Sequence, residues 1–214
     1  MESTVCPVPA GTRLIETFGY RPGQGIARLE LHLARLARSA HELGFVFDPV
    51  RIAGAIEALG GETPLRCRLT LGAVGDVEIT TAELPESAAQ WTVRIAPERM
   101  HSEDALLRHK TTRRAVYDRW RADLPDGVQE WLFLNERDEL CEGTITNVVL
   151  TMPDGERLTP PLSSGCLPGV YRQSLLDAGV VREAVLTLDD LRSAKAITLS
   201  NALRGEISAV LSHV

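Results

Sequence analysis

Arg108-His109-Lys110-Thr111-Thr112-Arg113-Arg114-Ala115-Val116-Tyr117-Asp118 is the most informative stretch of this 214-residue chain. Lys110 is one of two lysines, with Lys195, among 23 lysines and arginines. An amine that forms a Schiff base with a carbonyl group must be a lysine, because a guanidinium does not release its proton at working pH. Any imine chemistry therefore has two candidate nucleophiles. One of them stands beside a histidine and ahead of two threonines. The scarcity of lysine itself is what a GC-rich coding sequence produces.

Composition narrows the class. Apolar residues make up 44% and charged residues 24%, as in ordinary soluble globular proteins. The net charge of −6 and the pI of about 5.4 argue against nucleic acid or an anionic membrane as partner, since both call for a basic stripe. An anionic small molecule would then be held by locally placed arginines. Cys6, Cys67, Cys141 and Cys166 are not spaced as a metal knuckle or redox pair, so no metal is expected and four reduced thiols fit a cytosolic location. Met1–Gly11 has no basic start or apolar core of a signal peptide. No apolar run approaches the ~18 residues of a membrane span.

Around the Lys110 stretch, helical and extended patterns alternate. Arg13–Gly19 reads as a strand. Ala27–Leu43 reads as an amphipathic helix, with Leu29, Leu33, Leu36 and Ala40 on one face and His32, Arg35 and Ser39 on another. Asp48-Pro49 is a helix start. Leu65–Leu71, Val77–Thr81 and Gln90–Ala96 read as strands, with Gly75-Asp76 as a turn. Arg66 and Arg68 share one strand face. A strand is expected to run into Lys110, followed by a helix from about Thr112 to Asp123. Strands are expected at Glu130–Leu134 and Thr146–Met152, then a turn at Pro153-Asp154-Gly155. A helix from Pro168 to Ala178 stops at Gly179. Strands near Val181–Leu186, Ala196–Ser200 and Ile207–Leu211 complete a mixed α/β chain. Leu84–Ala89 is short and polar enough to join two domains.

Four motifs carry chemistry. They are His32-Leu33-Ala34-Arg35-Leu36, the Lys110 stretch, Leu140-Cys141-Glu142-Gly143-Thr144-Ile145-Thr146-Asn147 after Phe133–Glu136, and Gly165–Arg172 completed by Ser200-Asn201-Ala202-Leu203-Arg204-Gly205. Singly, each reads as a solvated face, a surface cluster or a turn. Together they fit the holding of pyridoxal 5'-phosphate, which needs a lysine for its aldehyde, an acid at its pyridine nitrogen and a site for a phosphate dianion. Lys110 supplies the first and Glu142 the second. The helix start at Gly169-Val170-Tyr171 supplies the third through backbone N–H groups, with Arg35 adding a charged contact.

The ordered set resembles the class IV (fold-type IV) pyridoxal-phosphate enzymes, from about Leu14 to Val210. That family includes branched-chain and D-amino-acid aminotransferases and aminodeoxychorismate lyase. The resemblance implies that Lys110 is the Schiff-base lysine, Glu142 the partner of the ring nitrogen and Arg35 a phosphate-binding arginine. Val170 and Tyr171 bind phosphate through backbone amides in this likeness. Ala202 falls in the last phosphate-binding turn, with Asn201, Leu203 and Arg204 toward substrate. It also implies a D-amino-acid-aminotransferase-like fold of two α/β domains, 1–86 and 90–214, joined by a linker at 87–89, with cofactor in the cleft and Lys110 in the larger domain. A homodimer is implied as well.

Within the family, His109-Lys110-Thr111-Thr112-x-Arg114-x-x-Tyr117-Asp118 and Asn201-Ala202-Leu203-Arg204-Gly205 are similar to the lyase form, which converts 4-amino-4-deoxychorismate to 4-aminobenzoate and pyruvate in folate biosynthesis. Branched-chain enzymes tend to carry Gly-Thr-Ala at the second motif, and D-amino-acid enzymes a Ser-Thr-Thr type of turn. Relatives usually have a hairpin before the first strand, where this sequence has a short arm. Tyr171 stands where many have threonine, and Cys141 and Cys166 replace other residues as small apolar packing. Arg204 is the first candidate for a substrate carboxylate and Arg68 the second. The alternatives are a class IV aminotransferase for branched-chain or D-amino acids, and a non-catalytic binding protein on the same fold.

Overall fold

The computed structural model describes residues 8–84 and 89–212. Met1–Pro7 with Cys6, and residues 85–88 with most of the expected linker, lie outside them. The chain divides into two compact units, one holding the N-terminal residues together with His109–Arg113, the other holding the rest. Lys110, expected in the second domain, therefore packs with the first unit. Among the described residues no helix is long and apolar enough to cross a membrane.

The first unit contains β1 (Arg13–Arg21), β2 (Gly25–Ile26), α1 (Leu29–Leu43), α2 (Pro49–Glu57), β3 (Leu65–Gly72) and β4 (Val77–Glu83). They form an antiparallel sheet of order β2-β1-β3-β4. Leu14 faces Leu71 and Thr17 faces Arg68 across β1 and β3. Leu14, Phe18, Leu36, Ala40, Ile52, Cys67, Leu69 and Leu71 are buried. The helix expected from Ala27 begins at Leu29, because Arg28 adopts a left-handed conformation (φ 59°). Its end is fixed by Gly44, at φ 72°, whose N–H closes on Ala40 and His41. Its second face is not solvated: His32, Arg35 and Ser39 are all buried. Asp48 caps α2 by accepting from Val50 N and Arg51 N at 3.0 and 3.1 Å.

The second unit contains β5 (Gln90–Met100), α3 (Ala115–Ala122), β6 (Glu130–Asn135), β7 (Leu140–Gly143), β8 (Asn147–Thr151), β9 (Arg157–Thr159), α4 (Val170–Asp177), β10 (Arg182–Glu183), α5 (Leu188–Ser193), β11 (Ala196–Asn201) and β12 (Gly205–Leu211). The sheet order is β10-β9-β8-β11-β12-β5-β6-β7. Every residue of β6 is buried because both faces are covered. Leu132 and Leu134 join a core with Val93, Leu150 and Leu199, against which Leu188 and Leu191 of α5 pack. Trp131 and Phe133 point the other way, toward Val116, Tyr117 and Trp120 of α3. This is the two-residue period of a strand.

Several expectations give way. The strand meant to run into Lys110 ends at Met100, since Asp104 starts a short 3-10 turn at Ala105–Arg108 by capping Leu106 N. The helix expected from Thr112 begins at Ala115. Its first residues are engaged otherwise: Thr112 N donates to Arg13 O, and Thr111 Oγ1 accepts from Arg113 N. The helix expected at Pro168 starts at Val170, after an extended Gly169. The strand expected at Val181–Leu186 shrinks to two residues. Helix α5 is additional to the expected elements, and Thr187 and Asp190 start it with a capping box.

The Asp48 cap gives a simple stability test. Asp48→Ala should cost about 1 kcal/mol in urea unfolding with an unchanged denaturant slope. No loss would mean that α2 is held by packing alone.

Candidate active site

In the first unit, Lys110 is fixed by its backbone. Ile15 N donates to Lys110 O at 2.7 Å and Thr112 N to Arg13 O at 2.9 Å, so residues 110–112 lie against β1 as an antiparallel bridge. Its neighbour His109 is buried, with Nδ1 at 3.0 Å from Ser39 Oγ and Nε2 at 3.5 Å from Glu42. Lys110 is half-buried and Lys195 exposed, which separates the two candidate amines.

Arg35 is buried and gives Nε and one terminal nitrogen to Glu16, at 2.8 and 2.6 Å. His32 Nδ1 meets the same carboxylate at 2.5 Å. Burial alone would raise the Glu16 pKa, but the charge of Arg35 and the hydrogen bonds from His32 and Arg35 bring it below the ordinary value. Arg35 is thus a braced guanidinium on the inner face of α1.

In the second unit the centre is Glu142, buried at the end of β7. Its carboxylate accepts from Tyr117 Oη at 2.7 Å, Leu167 N at 3.0 Å and Asn147 Nδ2 at 3.4 Å. Asn147 Nδ2 also donates to Leu167 O at 2.9 Å. Gly169 leaves room for this contact, because a Cβ at that position would overlap Asn147 Oδ1 and force the amide to move. The bare glycine leads directly into Val170 and Tyr171 at the start of α4. Arg172 locks that helix from inside, bonding Pro160 O at 2.8 Å and pairing with Glu183.

The turn between β11 and β12 adjoins this centre. Asn201 Oδ1 accepts from Leu203 N (3.1 Å) and Arg204 N (2.9 Å), and Asn201 Nδ2 donates to Ile145 O (3.3 Å). Asn201 therefore shapes the turn and ties it to the loop after Glu142. Arg204 lies over the Trp91 ring, 5.5 Å from its centroid. A Cβ on Gly205 would stand 3.5 Å from the Tyr171 ring, so Tyr171 packs against the turn. Glu142, the start of α4 and the turn carrying Ala202, Leu203 and Arg204 are thus gathered in the second unit. Lys110, Arg35 and Arg68 belong to the first.

Tyr117 and Asn147 stand within the sequence motifs, but nothing local in the sequence marks them as the donors to Glu142. Burial pushes the Tyr117 hydroxyl well above the usual tyrosine range, and the negative charge of Glu142 adds to the shift. It is a lasting donor to Glu142. Cys141 and Cys166 are buried thiols, Cys166 pushed up to about 12 mainly by burial, as apolar packing requires.

The family model for amino-transferase class IV matches residues 13–210. The chain belongs to this family. The class IV family is an enzyme family that depends on pyridoxal phosphate, which removes the non-catalytic alternative. A Mesorhizobium loti structure, provisionally called an amino-acid aminotransferase, is 46% identical and superimposes with a TM-score of 0.90, over 94% of this chain and 100% of that one. The fold is accordingly the mixed α/β fold-type IV. Aminodeoxychorismate lyase of Saccharomyces cerevisiae is 30% identical over 146 residues, 60% of this chain and 39% of the yeast protein's length. A Schizosaccharomyces pombe protein provisionally named for the same activity is 28% identical over 194 residues, 86% of this chain and 83% of that one.

The Tyr117 shift has a definite sign. The folded chain holds the proton more tightly than the unfolded chain, so this contribution is whole below the unfolded value of about 10 and fades as pH rises above it. Chemical unfolding at a series of pH values should show wild type losing stability relative to Tyr117→Phe above about pH 10. A difference that stays constant across that range would contradict the buried contact.

Proposed function

We propose that this chain is a pyridoxal-phosphate-dependent lyase that converts 4-amino-4-deoxychorismate to 4-aminobenzoate and pyruvate. The observation that carries the reading is the buried Glu142 carboxylate, oriented by Tyr117, Asn147 and Leu167. Tyr117 belongs to the lyase-like motif that also holds Lys110. The two relatives named for the lyase activity support the same substrate.

The residues present fit the cofactor. A protonated pyridine nitrogen needs an oriented carboxylate, and Glu142 is one. A phosphate dianion needs N–H groups at close range. Helix α4 opens after a glycine, and the first N–H groups of a helix point outside its own hydrogen-bond ladder. Val170 and Tyr171 would hold the phosphate there, with Ala202 from the neighbouring turn and the braced Arg35. Lys110 would hold the aldehyde carbon through Nζ.

When bound, the cofactor accepts the electron pair released at the substrate carbon that bears nitrogen. Glu142 would hold a proton at the ring nitrogen for that purpose. Lys110 Nζ removes the proton from that carbon, then supplies the proton that assists departure of the enolpyruvyl oxygen. The carbon–oxygen bond breaks, the enol becomes pyruvate, and the six-membered ring becomes aromatic. The atoms balance without a second substrate or an oxidant. A positioned acid–base group contributes ~10²–10⁴-fold, and loss of Lys110 removes the covalent attachment as well. Arg204 would meet one substrate carboxylate, with Leu203 and the Asn201-braced turn beside it, and Arg68 is the second candidate. Homodimeric assembly belongs to the same reading on the family resemblance, and a cytosolic location on the four thiols expected to be reduced.

A second reading has its own support. The 46% identical Mesorhizobium loti relative, named for amino-acid aminotransferase activity, favours a class IV aminotransferase, and the family resemblance makes branched-chain or D-amino acids its candidate substrates. It would use the same residues for cofactor but require a keto acid as acceptor.

The cofactor-loaded protein should release pyruvate from aminodeoxychorismate continuously with no keto acid present. Borohydride reduction should attach the cofactor to the peptide containing Lys110, and Lys110→Ala should abolish both results. Conversion of the cofactor to its amine form by amino acids, without pyruvate release, would establish the aminotransferase instead. A reduced adduct at Lys195 would overturn both readings.

A further inference from the structure

Glu130, the first residue of β6, is an acid with no exposed surface in a strand otherwise made of Trp131, Leu132, Phe133, Leu134 and Asn135. Burying an acid is costly unless its oxygens are satisfied. Burial does push the Glu130 carboxyl above its ordinary range, against the Thr144 hydroxyl and the charge of Arg121.

Most of the compensation comes from one short loop. Oε1 accepts from Thr144 N at 3.0 Å, from the Thr144 hydroxyl and from Trp131 N at 3.1 Å. Oε2 accepts from Ile145 N and Thr146 Oγ1, both at 3.1 Å. Arg121 of α3 lies 3.6 Å from Oε1 and donates to Thr144 Oγ1 at 3.1 Å. Arg114 reaches Thr144 O at 2.9 Å from the start of the same helix. Gly143 leaves the space this needs, since a Cβ there would come within 2.9 Å of the Glu130 side chain.

Residues 143–146 are all that separates Glu142 from Asn147. We infer that Glu130 is a positioning residue for Glu142: its carboxylate fixes the 143–146 loop from inside and sets the directions of Glu142 and Asn147. An amide does not replace it. Backbone N–H groups address both oxygens, so either orientation of a glutamine turns its NH2 toward an N–H. The consequence for catalysis rests on the reading that Glu142 serves the cofactor's ring nitrogen. The positional claim does not.

Tyr117 reports on the position of Glu142 without any cofactor. The chain has three tyrosines, so ¹³Cζ-labelled tyrosine gives three resolvable NMR signals, and Tyr117→Phe assigns one. In cofactor-free protein, Glu130→Gln and Thr144→Val should shift the Tyr117 signal and move its titration down toward the ordinary tyrosine range. In loaded protein both variants should lower kcat by ~10-fold or more with a smaller change in KM, the scale on which lost supporting contacts act. Folded variants with a wild-type Tyr117 titration overturn the inference, whatever their melting temperature. If Glu130→Gln does not fold, Thr144→Val decides alone, because it removes one hydroxyl and no charge. Glu142→Gln separates the two claims. If it moves the Tyr117 signal but leaves the absorption spectrum of the loaded protein unchanged, the reading of Glu142 fails and the positional role of Glu130 stands.

Discussion

The hydrogen bond from Tyr117 to Glu142 is the contact on which the second unit's polar centre depends. A carboxylate buried at a strand end is unfavourable until donors orient it, and the donors here come from three places in the sequence. Tyr117 comes from α3, Asn147 from the next strand, and Leu167 from the approach to α4. Each contact therefore fixes an element as well as a side chain. A Cβ at Gly169 would displace the Asn147 amide, and α4 starts directly after Gly169. Asn201 attaches the last turn to the same loop through Ile145.

Helix α3 clamps the loop after Glu142 from one side. Arg114, Tyr117 and Arg121 are spaced by three and four residues, so they share a face. They reach Thr144 O, Glu142 and the Thr144–Glu130 pair in turn. Helix α1 does comparable work in the first unit. There Glu16 on β1 braces Arg35 and His32, while Ser39 and Glu42 hold His109 beside Lys110. In both units a helix face that reads as polar turns inward, because its polar groups satisfy one another.

That inversion marks the limit of what the sequence discloses. The leucine period of α1, the Asp48-Pro49 start and the alternation in β3 act over a few residues, so they were legible. Lys110 stood out because lysine is so scarce, and Glu142 because of the motif around it. The pairing of Arg35 with Glu16 spans 19 residues and that of Tyr117 with Glu142 spans 25. Neither leaves a local period, so the His32–Arg35–Ser39 face looked solvated and Tyr117 had no role. Glu130 looked like a strand boundary. The misplaced start of α3 has a similar origin: helix propensity from Thr112 onward lost to pairing of residues 110–112 with β1. Helix α5 is six residues long, too short for a hydrophobic period, and only its capping box announced it.

A family that performs elimination and transamination with one set of cofactor contacts must share the electronic demand that both reactions make. In the function proposed for this chain, that demand falls on Glu142. ¹⁵N NMR of the protein loaded with pyridoxal phosphate labelled at the ring nitrogen measures it directly. Wild type should show a protonated nitrogen at neutral pH, and Glu142→Gln an unprotonated one. The same ¹⁵N shift in both proteins would contradict the account.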